Sequence, residues 1–138
     1  MIDDVYLNKS AIIRRCLKRI QEEFRGDPAR LENFTIQDAI VLNILRTCES
    51  AIDLAMHLVA ERRLGVPQSS RDAFAILETA GLLSANCSRS MMRMCGFRNI
   101  AVHNYQEIEE PILLSILRSN LSDFDSFLDE LNHFYQQG

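Results

Sequence analysis

TIQDAIVLNILRTCESAIDLAMHLVAERRLG, residues 35 to 65, decides the architecture. Ile36, Ile40, Ile44, Ala51, Ala55 and Leu58 fall on one side of a 3.6-residue helix, and Val41, Leu45, Cys48 and Ile52 widen the stripe. Thr35 stands where an N-cap belongs, with Asp38 three residues on. Gly65, just before Pro67, supplies a stop. The spacing predicts one helix over residues 36–64, about 40 Å long at 1.5 Å per residue. So long a helix with so broad an apolar face needs helical neighbours, and short connections make those neighbours antiparallel.

The flanks repeat the pattern. Ile12, Cys16, Ile20 and Phe24 recur every four residues, with Ile13 and Leu17 beside them, which predicts a helix over about 3–24. RGDPARLENF breaks it at Gly26 and Pro28. PQSSRDAFAILETAG gives a shorter helix capped by Ser69 or Ser70 and stopped by Gly81; Ser84 caps a fourth. Pro111 suits a first helical position, and Leu113, Leu117, Leu121, Phe124, Leu128, Leu131 and Tyr135 carry a last helix over 110–136, kinked near Ser119 and Asn120. No segment alternates like a strand. The expected fold is all-α, an up-and-down helical bundle of four main helices plus a shorter one, built as a single domain over residues 1–138.

Composition narrows the function. The chain is 47% hydrophobic and 25% charged, as globular proteins are. No apolar run reaches the roughly 18 residues of a membrane span, and MIDDVYLNKS lacks the basic and apolar regions of a signal peptide. A cytoplasmic location is the resulting expectation. Cys16, Cys48, Cys87 and Cys95 form no C-x-x-C pair and no metal-spaced cluster, so buried thiols are expected and no metal site. The formal charge of −4 argues against broad, sequence-blind nucleic-acid binding. The charge is uneven, however: Arg89, Arg93 and Arg98 lie in a window without Asp or Glu between Glu78 and Glu107. Gly-rich phosphate loops and G-x-S-x-G elbows are absent.

Two polar constellations remain. Asn43, Arg46, Ser50, Asp53 and His57 form a row at 3-4-3-4 spacing, read first as a solvent-facing stripe in which Asp53 and His57 touch, and second as a pocket lining. The other is GFRNIAVHNY, residues 96–105. A histidine exchanges protons near neutrality, and an arginine fork suits phosphate oxygens. Together they suffice to cleave RNA through its own 2′-OH without a metal. An inert, hydrogen-bonded helix end is the plainer reading. On a straight helix Arg98 and His103 stand about 140° apart, so one helix does not aim both at one atom. Convergence needs a bend, the reach of Arg98, or a second copy of the segment.

The same residues resemble the R-x-x-x-x-H-x-Y signature of HEPN-domain ribonucleases, and specifically the HepT toxin family: Arg98, His103 and Tyr105 match, and Asn99 matches the polar residue after the arginine. The block CESAIDLAMHLVAERRLGVPQSSRDAFAILETAGLL, residues 48–83, including Asp53 and His57, is similar to that family's second and third helices. The resemblance implies a homodimer whose two motif copies share a composite cleft. It implies His103 as general base for the 2′-OH, Arg98 on the phosphate, Asn99 and Asp53 in support, a 2′,3′-cyclic phosphate product, and no cofactor. It also implies the toxin role in a bacterial type VII toxin–antitoxin system. The partner would be a minimal, MntA-like nucleotidyltransferase antitoxin that neutralises by AMPylation of Tyr105. The alternative is a catalytically silent HEPN-type module that binds a nucleotide or a partner.

Overall fold

The computed structural model describes residues 3–137, and every regular element among them is helical. Helix α1 (Asp4–Phe24) starts on Asp3, whose carboxylate accepts the Tyr6 N–H, and stops where Arg25 turns left-handed at φ 54°. A 3₁₀ turn over Pro28–Glu32, capped by Asp27 and anchored by buried Leu31, then reverses the chain.

Helix α2 (Phe34–Glu61) is the predicted long helix with both ends moved. Asn33, not Thr35, is the N-cap: its side chain accepts the Ile36 N–H at 3.2 Å. Asparagine outranks threonine there, so Thr35 enters the first turn and Asp38 is released from capping. The far end stops at Glu61, before Gly65, because Arg62 closes the last turn onto Leu58 O and Arg63 goes left-handed at φ 54°.

Helix α3 (Ser70–Thr79) is capped by Ser69, and α4 (Ala85–His103) by Ser84, whose hydroxyl accepts the Cys87 N–H. The last predicted helix is divided into α5 (Glu110–Ser115), a π turn (Ile116–Asn120) and α6 (Leu121–Gln137). The π turn falls on the expected kink, and Leu113, Leu117 and Leu121 stay buried across it.

Long-range contacts show the up-and-down order. Asp3, heading α1, meets His57 near the end of α2; Tyr105, following α4, meets Asp38 near the start of α2. Ser84, heading α4, bonds Glu130 in α6, and Tyr135 late in α6 returns to Asp3. Each long helix therefore runs against its neighbour, as expected of an all-α bundle. The core is one apolar cluster drawn from every long helix, including Ile13, Ile44, Leu58, Met91 and Leu128. Phe74 of α3 sits edge-on to Phe127 of α6 at 5.8 Å. The last-helix rhythm from Leu113 to Tyr135 is buried throughout. All four cysteines are free and buried, and burial pushes the Cys48, Cys87 and Cys95 thiols up, as expected of inert core thiols. No helix among the described residues is long and apolar enough to cross a membrane.

Candidate active site

Close packing of α3 on α4 sets the position of Arg98. Gly96 leaves a notch against which Arg71 lies: a Cβ there would come within 2.9 Å of Arg71 Nη2, and Arg71 Nε donates to Met92 O at 3.2 Å. With α3 held so near, the first residue of that helix reaches the motif arginine. Arg98 Nη2 donates to Ser70 Oγ at 2.7 Å, and Glu49 Oε1 of α2 lies 3.5 Å from Arg98 Nε. That Nε is buried and donates to no acceptor among the described residues. The guanidinium is thus gripped from α2 and α3, with donor capacity left over.

His103 is the last residue of α4 and is exposed; Asn99 is exposed as well. Helix α4 stays α-helical from Arg98 to His103, so the 140° separation of the two positions around the axis persists. Past His103 the chain turns sharply. Asn104 closes the helix onto Ile100 O at 2.8 Å, and Tyr105 begins a 3₁₀ turn over Tyr105–Glu107. The Tyr105 hydroxyl donates to the Asp38 carboxylate. Burial and that carboxylate push the Tyr105 phenol up to about 12. Ile100, Val102 and Tyr105 within the motif segment are exposed, as is Ile112 in α5.

The polar row of α2 does not face solvent as a stripe. Asn43 and Ser50 are buried, and with Arg46 and Glu49 they line a groove of about 560 Å³ closed on its other side by Arg15 and Arg19 of α1. The row follows the α1–α2 seam, where α1 covers what periodicity alone leaves open. Asp53 and His57 do not touch. Asp53 pairs with Lys9 at 3.0 Å, and His57 Nε2 faces Asp3 at 3.2 Å and Glu61 at 2.8 Å. Asp53 thereby ties α1 to α2, one helical turn beyond Glu49. Asp3, His57 and Glu61 form a cluster of potential metal donors that the sequence does not reveal, because Asp3 is separated by fifty-four residues from His57. Their mutual hydrogen bonds, with that of Tyr135 to Asp3, account for the arrangement.

Glu49, Ser70 and Asp38 are site residues that spacing does not expose. Ser70 had one visible signal, the Ser69–Ser70 pair: one serine caps α3, which frees the other for Arg98.

The sequence and the fold match known proteins. The family model for ribonuclease HepT-like proteins matches residues 13–131. The chain belongs to the ribonuclease HepT-like family. Within it, the mRNA nuclease HepT of Shewanella oneidensis is 41% identical over 128 residues, spanning 93% of this chain and 96% of that one. The tri-AMPylated Shewanella oneidensis HEPN toxin, solved in complex with MNT antitoxin, superposes with a TM-score of 0.90 at 41% identity, covering 96% of this chain and 99% of that one. A toxin–antitoxin complex with AMP-PNP gives the same score and identity over 95% and 99% of the two chains. YutE of Bacillus subtilis, at 12% identity and a TM-score of 0.73, shares the fold. The bundle of this HepT-like chain is accordingly the HEPN fold.

Proposed function

We propose that this HepT-like chain is an RNA endonuclease and the toxin of a toxin–antitoxin pair, with Arg98 and His103 as its catalytic groups in a cleft shared by two copies. The observation that carries the reading is the opposed arrangement on α4. Arg98 is held rigidly by Ser70 and Glu49, while His103 projects at the helix end with no side-chain partner among the described residues. A second α4 placed against exposed Ile100, Val102 and Ile112 would bring each histidine toward the other copy's arginine. The groove lined by Arg15, Arg19 and Arg46 begins beside Glu49 and offers a cationic path for the strand leaving that cleft.

The chemistry then runs in one displacement. The His103 imidazole takes the 2′-OH proton, and the 2′-oxygen attacks the adjoining phosphorus. Arg98 stabilises the charge that builds on the phosphoryl oxygens, and the 5′-oxygen leaves. The products are a 2′,3′-cyclic phosphate and a 5′-hydroxyl end, formed without a metal. Because the relative is named an mRNA nuclease, mRNA is the first substrate to assay. The site of action is the cytoplasm, where such RNA is translated.

The complexes of relatives support a nucleotidyltransferase antitoxin as partner and AMPylation as the neutralising step. Tyr105 is the acceptor. Added AMP there would place bulk and negative charge beside His103, where an RNA phosphate must enter.

The test is cleavage of RNA in EDTA with end-group analysis. Cyclic-phosphate ends are expected, with folded His103→Ala inactive. Cleavage by that variant at the wild-type rate would remove His103 from the mechanism.

A further inference from the structure

We propose that Asp38 is the general base for AMPylation of this toxin: it accepts the Tyr105 hydroxyl proton as that oxygen attacks the α-phosphate of ATP. The proposal rests on the reading that Tyr105 receives AMP, and it names a residue of the toxin itself as part of the machinery that silences it.

The geometry is direct. Asp38 and Tyr105 are 67 residues apart in the chain, on different elements, yet the Tyr105 hydroxyl donates its hydrogen bond directly to the Asp38 carboxylate. Asp38 has no competing structural duty. Asn33 caps α2 in its place, and Asp38 forms no ion pair among the described residues. Both side chains are exposed, so a partner bringing ATP can reach the oxygen. Asp38 is also the charged side chain of this chain that bears on Tyr105.

The chemistry calls for such a base. Even at the ordinary phenol value of about 10, only about one tyrosine in 10³ is phenolate at neutral pH. Unassisted attack would draw on that small fraction. With Asp38 in place the step balances without it. The Tyr105 oxygen forms a bond to the α-phosphorus, and the bond from that phosphorus to its bridging oxygen breaks. Pyrophosphate leaves, and the phenol proton passes to the Asp38 carboxylate and then to water. ATP and its metal come with the nucleotidyltransferase. The product has a further consequence. A modified Tyr105 no longer donates a hydrogen bond, and its new phosphodiester anion faces the Asp38 carboxylate. Repulsion turns the adenylyl group away from α2.

The experiment follows AMP addition by intact mass, using the full-length toxin, ATP and the cognate nucleotidyltransferase, with peptide mapping to Tyr105. Asp38→Asn keeps the size and removes the basicity; it is expected to slow modification roughly 100-fold or more. Asp38→Glu, which restores a carboxylate, recovers part of the rate. Thermal unfolding and antitoxin affinity of both variants serve as checks on the fold. A positional role alone would leave the pH profile unchanged. A base role makes wild-type modification level off above the carboxylate range, while Asp38→Asn keeps accelerating with pH towards the phenol's own value. Asp38→Asn modified within threefold of wild type, or the same pH profile in both, overturns the role of Asp38 alone. Wild-type toxin carrying no AMP on Tyr105 overturns the parent reading with it.

Discussion

Arg98→Lys keeps the positive charge and removes the fork. In the structure one guanidinium serves two elements, with Nη2 on Ser70 at 2.7 Å and Nε facing Glu49 at 3.5 Å. A single ammonium cannot occupy both positions and also present a pair of donors to a phosphate. The stability loss is small. One hydrogen bond to a half-buried hydroxyl contributes about 1 kcal/mol, and an ion pair with a partly exposed Glu49 a few tenths of a kcal/mol. The expected fall in melting temperature is therefore about 3–5 °C. The catalytic loss is larger. Removing a positioned donor at a developing oxyanion lowers turnover about 10²–10³-fold, or roughly 2.7–4 kcal/mol. Cleavage of a defined RNA in EDTA at 25 °C, measured alongside thermal unfolding, separates the two effects. Arg98→Lys cleaving within threefold of wild type would refute the reasoning, because charge alone would then suffice.

Two further predictions concern the scaffold. Burial acts to raise the Asp3 carboxyl, but hydrogen bonds from the Tyr6 N–H, the Tyr135 hydroxyl and His57 outweigh it and hold the group at about 2, below its ordinary 3.8. The stabilisation is fully present above the unfolded value and is lost as pH falls from about 4 through about 2, so Asp3→Asn should cost about 1 kcal/mol at pH 6 after allowing for solvent screening, with most of the deficit gone at pH 2. Urea titrations at the two pH values check this; a deficit that persists unchanged at pH 2 contradicts it. Phe127, fully buried and edge-on to Phe74, should cost about 3–5 kcal/mol as Phe127→Ala, read from the urea midpoint; a loss below about 1 kcal/mol contradicts the packing.

The helices were legible because burial is periodic. The stripe of α2 and the leucine rhythm from Leu113 to Tyr135 name the core faces. Ends were less legible because adjacent residues compete for the same cap. Asn33 took α2 from Thr35, and Ser69 took α3 from Ser70. Those small contests decided contacts in the motif, since they left Ser70 to bond Arg98 and Asp38 to bond Tyr105. The polar row of α2 could not be read at all from one helix. Whether Asn43 and Ser50 meet water or α1 depends on which neighbour covers them, and the pairing of His57 with Asp3 spans most of two helices. Arg98 and His103 themselves were found by motif resemblance, with helix geometry adding that they diverge within one chain.

That divergence is the claim on which the catalytic proposal stands, and mixing two inactive variants tests it most directly. Arg98→Ala lacks the cation and His103→Ala lacks the base, so each alone should be dead. If the cleft draws on two copies, exchanging subunits between them creates mixed dimers that retain one arginine and one histidine. Cleavage in EDTA should then return to a measurable fraction of the wild-type rate, in proportion to the mixed species seen by native mass spectrometry. Mixed dimers that form and stay inactive, or a wild-type monomer that cleaves at full rate, would contradict the account.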